Sequence, residues 1–308
     1  MRAVVLAGGT GGAKLAAGMQ DILGEGLAVI ANTGDDIDVL GVRVSPDPDL
    51  VTYWLSGEID EERGWGVRDD EFTVFERLVQ LGAPDWFSLS NRDLATCLRR
   101  TELITGGSTP TEAQREIAAG LGVRARVLPM SDRPIRTRVR TPAGWRGLQE
   151  YLIRDRSVPA IEAVELEGVE TASPTADVLE AIAGAEAIVI GPSNPVISIG
   201  PILAVPGIRE AIAAAPAPVI AVSPFVAGEV IKGPTDKFMR AVGGEPSAAG
   251  VAHAYRGVID GLVVDAGDPD PPPAGVRTLV IPTLMDDAAS RREVAEKTLE
   301  FAPRAFAP

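Results

Sequence analysis

One cysteine, Cys97, and one histidine, His253, are all that the chain contains of either residue. A single cysteine excludes an intrachain disulfide and suits a reducing compartment, so a cytoplasmic protein is expected. A single histidine excludes a multi-histidine metal site and leaves little room for a histidine-based triad. Both have ordinary places available, Cys97 as a small core residue and His253 within the helical stretch "SAAGVAHAYRGV". Positive charge is also scarce: 29 Lys and Arg stand against 43 Asp and Glu, a formal charge of −14. Such a chain is a poor partner for nucleic acid or an anionic membrane. An anionic ligand would have to be met by cations and backbone N–H groups gathered locally. No long apolar run is present. The most apolar stretch, "AIVIGPSNPVISIGPILAVPGI", is cut by four prolines and three glycines and does not read as a membrane span. No charged segment precedes an apolar core near the start, so no signal peptide is expected.

What is present is enough to build a core: 308 residues, 45% of them hydrophobic. The first residues read as strand (Arg2–Ala7), glycine turn, helix (from about Lys14 to Leu23) and strand (Leu27–Ala31), a βαβ unit. From Leu50 to Thr105 β-branched runs are sparse and helical spacing takes over. "FTVFERLV" puts Phe72, Phe75, Leu78 and Val79 on one face, and "NRDLATCLRRTELI" turns Leu94, Cys97 and Leu98 inward. Thr109, Pro110 and Glu112 form a capping box that opens a further helix, and Gly122 stops it. "RARVLP", "TRVRT" and "GLQEYLI" are expected as strands, the last two around the turn "PAGW". "AEAIVIG" and "APVIAVS" read as buried parallel strands, "GLVVDAG" and "VRTLVIPT" as the last strands, before a terminal helix from Asp286 to Phe301. The alternation predicts a doubly wound, mainly parallel Rossmann-like α/β sheet. Residues 1–48 and 106–308 would form the Rossmann-like core and 49–105 a helical insert.

The stretch "VVLAGGTGGAKLAAG", Val4 to Gly18, raises the question of function. As a dinucleotide fingerprint it fails, because Lys14 occupies the last glycine position. As a P-loop it fails, because Lys14 lies between Ala13 and Leu15. It is closer to the "LAGGxGxRL" turn of sugar nucleotidyltransferases. Glycines 8, 9, 11 and 12 let backbone approach a phosphate, a helix N-terminus supplies donors, and Lys14 adds a point charge. A bare strand-to-helix turn is the alternative, at an entropic cost for each glycine.

Other groups fall where an open α/β sheet binds ligands, beyond the carboxyl ends of strands. "NTGDD" begins at Asn32, and "SPDPD" follows it. Asp35, Asp36, Asp47 and Asp49 thus fall within fifteen residues, which suggests Mg²⁺ bridged to phosphate, with a solvated acidic loop as the alternative. Ser193 and Asn194 follow a buried strand in "IGPSNPVISIGP" and can donate to a phosphate or nucleobase. The next strand leads to Lys232. Arg92, at a helix start, is unfavourably placed in the helix dipole, which an anionic ligand would explain.

Taken in order, "GGTGGAKL", "NTGDD", "SPDPD", "RGWGVRDD", "WFSLSNRDLAT", "LPMSD", "GPSNPVISIGPILAVPGIR" and "VSPFVAGEVIKGP" span nearly the whole chain. The set resembles the phospholactate/phosphoenolpyruvate transferases of deazaflavin coenzyme F-420 biosynthesis. That resemblance implies a Mg²⁺-dependent enzyme. The ribityl hydroxyl of a deazaflavin alcohol attacks the phosphorus that bears lactate or enolpyruvate in a guanosine diphosphate-linked donor, and GMP leaves. It implies that Gly9, Thr10, Gly11, Gly12, Lys14, Asn32, Ser193, Asn194 and Lys232 bind the donor, and that Asp36 and Asp49 contact metal or acceptor, with Asp49 as candidate general base. The acceptor would lie under the insert near Ser88 and Arg92, with Trp65 or Trp86 available to stack on its flat ring. Ser88 stands where archaeal members tend to carry lysine, and Cys97 where many carry histidine. The details "RGWG", "DWF" and "ILAVPGIR" are closer to the actinobacterial branch and its enolpyruvyl donor. A homodimer is implied as well.

Two other classes share part of this pattern. A non-catalytic regulatory family of the same fold binds nucleotide-sugars but carries "ADDGGSSGRLR" after the second strand, where this chain has "GDDIDVLGVRVSPDPD". A sugar nucleotidyltransferase shares the glycine turn but not the later motifs.

Overall fold

The computed structural model describes residues 1–306. The chain opens with β1 (Ala3–Ala7), α1 (Gly9–Leu23) and β2 (Leu27–Ala31), followed by a hairpin of β3 (Ile37–Val39) and β4 (Val42–Val44). Four helices come next: α2 (Pro46–Ser56), α3 (Thr73–Gln80), α4 (Asn91–Thr105) and α5 (Pro110–Gly120). Then come β5 (Arg126–Pro129), β6 (Arg136–Thr141), β7 (Gly144–Gly147), β8 (Ala163–Glu167), α6 (Ala176–Ala183) and β9 (Ala187–Ile190). After α7 (Ile199–Ala204) and α8 (Ile208–Ala214) lie β10 (Val219–Val222) and a short hairpin of β11 (Phe225–Val226) and β12 (Glu229–Val230). α9 (Thr235–Ala241), α10 (Ala248–Ala254), β13 (Gly261–Asp265), β14 (Arg277–Ile281) and α11 (Ala288–Phe306) complete the described chain.

Seven strands form one parallel sheet in the order β14-β13-β10-β9-β1-β2-β5. The central strands are apolar on both faces because both faces are covered. Along β1, Ala3, Val5 and Ala7 face a core shared with α1, α2 and α11, while Val4 and Leu6 face one shared with α6, α7, α8 and α10. Each fully buried Val, Leu or Ile contributes about 1.5–3 kcal/mol, so these two layers hold the sheet. The chain turns from β1 to β2 on one side and reaches β9 on the other, with Ala7 paired to Ala31 and Leu6 to Ile190. This is the topological switch point, and the crevice beyond it is where such sheets bind ligands.

Several expectations are corrected. α1 starts at Gly9, not near Lys14, so the glycine turn is the helix's own first turn. Its glycines are small because helix and strand ends meet backbone to backbone: a Cβ at Gly11 would run into the Pro192 carbonyl, and one at Gly12 into Ser193 Oγ. "GLQEYLI" is not a strand. β7 ends at Gly147, where Glu150 accepts the backbone N–H at 3.0 Å and starts a single π-helical turn, Glu150–Arg154. That turn seats Tyr151 edge-on against Phe238. β6 lies between β7 and the unexpected strand β8 in a separate antiparallel sheet. α2 crosses the boundary expected at residue 49, because Val51, Trp54 and Leu55 belong to the core against α1. The apolar face of α3 is only half-buried, and Leu98 is 53% exposed.

Candidate active site

A cleft of about 470 Å³ opens over the switch point. Its floor is the first turn of α1, with Gly8, Gly9, Thr10, Gly11 and Lys14. One wall is the segment after β9, with Pro192, Ser193, Asn194 and Ser198. Asp35 and Asp47 stand on the β2 side. Across from them are Lys232, Ser223 after β10, and Thr283 to Met285 after β14. Loop residues Glu61 to Gly64 reach over the mouth.

The two carboxylates are buried and close enough to repel one another. Burial raises the Asp35 pKa well above its ordinary value, and the charges of Asp47 and Asp36 push it further. Gln149 donates to Asp35 Oδ2 at 3.0 Å, but Oδ1 is buried with no hydrogen-bond partner. Burial raises Asp47 to about 6, against two stabilising hydrogen bonds. Gly9 N–H donates to its Oδ1 at 2.5 Å and Asn32 Nδ2 to its Oδ2 at 2.8 Å. Asp47 thus occupies the N-terminus of α1, a helix with no acidic residue in its own first turn.

The cations are held at the opposite side. Lys14 Nζ donates to the Met285 carbonyl at 2.8 Å, and burial, then the charge of Arg291, lowers its pKa. Lys232 Nζ donates to the carbonyls of Arg63 and Gly64, each at 3.1 Å, and burial and Lys14 lower its pKa. Ser193 Oγ accepts a long hydrogen bond from Gly8 N–H at 3.4 Å. Asn194 Oδ1 accepts from the N–H groups of Val196 and Ile197, which leaves its Nδ2 buried and without a partner.

Of the residues expected to bind a donor, Gly9, Thr10, Gly11, Lys14, Ser193, Asn194 and Lys232 line this cleft. Gly12 packs against Ala7 and Ser193, and Asn32 stands behind Asp47 as its hydrogen-bond donor. The expected metal and catalytic pair is placed elsewhere. Asp36 Oδ1 accepts from Ser45 Oγ at 2.6 Å and faces a separate small cavity with Arg43 and Arg136. Asp49 is gripped by both terminal nitrogens of Arg100. Their sequence neighbours Asp35 and Asp47 face the cleft instead. Trp65 packs with Phe72 and Arg63, and Trp86 with Phe87 and Arg154; neither lines the cleft, nor do Ser88 and Arg92. Asp70 accepts from the N–H of Arg92 at 2.7 Å and so supplies the negative charge that the start of α4 needs without a ligand. Ser198, Ser223 and Thr283 were not anticipated, since short polar residues after apolar strands carry no distinguishing pattern.

A doubly wound α/β protein with a polar cleft at its switch point is thus defined. Residues 3–278 match the family described as 2-phospho-L-lactate transferase CofD. The chain is 44% identical to a phosphoenolpyruvate transferase of Streptomyces coelicolor, across 98% of each chain. It is 42% identical to one of Kitasatospora aureofaciens, again across 98% of each. It is 40% identical to a 2-phospho-L-lactate transferase of Methanosarcina acetivorans, across 95% of this chain and 96% of that one. A solved structure of a UPF0052 family member from Bacillus halodurans superposes with a TM-score of 0.64 at 22% identity, covering 97% of this chain and 98% of that one, and shares the fold. The chain belongs to the CofD transferase family. Among the described residues no helix is long and apolar enough to cross a membrane.

Proposed function

We propose that this protein transfers a phosphoenolpyruvyl or 2-phospho-L-lactyl group from a guanosine diphosphate-linked donor to the ribityl hydroxyl of a deazaflavin alcohol, in coenzyme F-420 biosynthesis. The observation that carries this reading is the pairing, in one cleft, of the α1 N-terminus and two lysines with two buried carboxylates. A site for a phosphate alone would have no use for Asp35 and Asp47. A site for a phosphate with a divalent cation does.

The donor set fits Mg²⁺: hard carboxylate oxygens, mutually repelling, one of them without a partner. Asp35 and Asp47 would hold the ion, which when bound supplies charge neutralisation to the diphosphate. Thr10, Ser193 and Asn194 orient the donor's phosphates, and Lys14 and Lys232 face its negative charge. The acceptor oxygen forms a bond to the phosphorus bearing the acid as the bond to GMP breaks. The hydroxyl proton passes to a carboxylate oxygen of the pair that the ion leaves free. Neither Cys97 nor His253 is needed. Buried among α4 and the β3–β4 hairpin, the Cys97 thiol is pushed far up by desolvation.

The test is direct. Purified protein is mixed with Mg²⁺, the deazaflavin alcohol and each guanosine-linked donor in separate tubes, and the products are weighed by mass spectrometry. A product heavier by a phosphoenolpyruvyl or phospholactyl group is expected, and it names the donor. No product from either donor, with nucleotide-sugar still bound, would favour a regulatory binding protein.

A further inference from the structure

α2 presents Asp47 to the cleft from its first turn, and the opposite side of the same helix is fixed by α4. Asp49 and Tyr53, one turn apart, meet Arg100 and Asp93. The Tyr53 hydroxyl donates to Asp93 Oδ1 at 2.9 Å, and Arg100 Nη1 donates to Asp49 Oδ2 at 2.8 Å while Nη2 engages Oδ1. Asp93, Cys97 and Arg100 form one stripe along α4, at the i, i+4 and i+7 positions that share a helix face. Gln114 of α5 completes the contact, donating to Thr52 Oγ1 at 2.8 Å and accepting from Arg100 Nη2 at 3.4 Å. Arg100 and Asp49 are only 3% and 4% exposed. Burial disfavours both charges, and the Asp49 carboxylate outweighs it at Arg100, whose guanidinium is held above its ordinary value.

Apolar side chains would hold two helices together at less desolvation cost, so a buried bidentate pair is better explained by what it fixes than by stability. What it fixes is the rotation and height of α2. No side chain caps α2 from Ser45, whose Oγ donates to Asp36 instead. Gly9 and Asn32 hold the Asp47 oxygens from the sheet side, and Arg100 holds the helix two residues further on from the insert side. We infer that Arg100 is a positioning residue: through Asp49 it sets the placement of Asp47, so that the helical insert governs the geometry of the cleft carboxylates. This rests on the reading of Asp35 and Asp47 as the cation-holding pair.

Two variants test it on the full chain. Arg100→Lys keeps the charge and loses the bidentate fork. Asp49→Leu with Arg100→Met replaces the pair by apolar groups of similar size, which preserves packing. Mn²⁺ binding is read by electron paramagnetic resonance, and kcat and donor KM by the transfer assay, with Asp47→Asn as reference. Arg100→Lys is expected to weaken Mn²⁺ at least threefold and the double variant at least tenfold. In both, kcat should fall by the same or a larger factor while donor KM stays within twofold. If the double variant does not fold, Arg100→Lys decides alone. Mn²⁺ affinity and kcat within twofold of the parent in a folded variant overturn the inference. So does tighter Mn²⁺ binding in Arg100→Lys, which would make Asp49 itself a ligand that Arg100 restrains. Mn²⁺ affinity unchanged in Asp47→Asn would instead remove the cation reading on which the inference stands.

Discussion

Asp47 Oδ1 accepts a hydrogen bond from the backbone N–H of Gly9 at 2.5 Å, so the N-terminus of α1 is already occupied by a carboxylate from another helix. A phosphate approaching that terminus meets a negative charge beside the donors that would bind it. The two are compatible if a cation joins them or if Asp47 is protonated. The same carboxylate that organises the helix start therefore makes anion binding conditional.

Asp47→Asn tests this condition. The amide oxygen still accepts from Gly9, but the charge is gone and the amide nitrogen meets the Asn32 donor. Turnover at saturating substrate should fall by about 10² or more, the scale on which removing one preorganised electrostatic contact acts. Stability should change by no more than about 1–3 kcal/mol, the range for one disturbed buried hydrogen bond. Steady-state kinetics beside a denaturant titration separates the two.

The glycines make a different prediction. Gly11 is against the Pro192 carbonyl rather than in open space. Gly11→Ala should therefore destabilise the fold by about 1–3 kcal/mol, as overpacking does, besides weakening donor binding. A glycine kept only for a phosphate would lose affinity with an unchanged denaturation midpoint.

Lys232 bridges the cleft mouth, donating to the carbonyls of Arg63 and Gly64. Lys232→Met should release that loop as well as remove a charge. Donor KM should rise by about tenfold, near the 1.4 kcal/mol of one charge-assisted hydrogen bond. Proteolysis between Asp60 and Val67 should speed up in the free protein. Unchanged proteolysis would mean that the Asp60–Arg63 pair and the Arg291–Glu61 pair hold the loop without it.

Stability should follow pH with a definite sign. Burial raises Asp36 and Asp93 to about 7, above their unfolded values, so the folded protein binds more protons than the unfolded chain between roughly pH 4 and 7. Their contribution is fully present below the unfolded pKa and is lost as pH rises through 7. Without divalent cation, the melting temperature should be higher near pH 5.5 than near pH 8. Asp93→Asn should flatten that slope, and an unchanged slope in the variant would exclude Asp93 as its source.

The sheet was legible because its strands are buried on both faces and read as unbroken apolar runs, and the α5 start because Thr109, Pro110 and Glu112 encode a capping box that the structure forms. The cleft was legible as a set of loops at strand ends. Which aspartate faces it was not, because Asp35 and Asp36 differ only by one step of a turn whose direction is set by contacts far away in sequence. One signal was available. Ser45-Pro46 is a helix-start pair, and an α2 beginning there puts Asp47 in the first turn with Asp49 facing elsewhere. Leu98 was misplaced for a related reason. The buried side of α4 is the stripe of Asp93, Leu94, Cys97 and Arg100, turned toward α2 by ion pair and tyrosine, so hydrophobicity alone points slightly off the true face.

Asn194 offers a substitution that leaves its structural half intact. Its Oδ1 accepts from the N–H groups of Val196 and Ile197 and so shapes the turn after β9, while its Nδ2 is buried without a partner. Asn194→Asp keeps an oxygen for both backbone donors and replaces the free donor by negative charge. If Nδ2 serves a phosphate oxygen, one hydrogen bond is lost and one repulsion is gained. The affinity for GDP should then fall by about 10²-fold or more, given about 1.5–3 kcal/mol for a hydrogen bond to a charged group and at least as much for the like charge. Thermal stability should fall by no more than about 1–3 kcal/mol, since the backbone contacts survive while a buried amide becomes a carboxyl. Calorimetric titration with GDP in the presence of Mg²⁺ reads the first quantity and a melting curve the second. A stable variant that binds GDP as tightly as the parent would place the nucleotide's phosphates away from this loop and toward Lys14 and the α1 terminus alone.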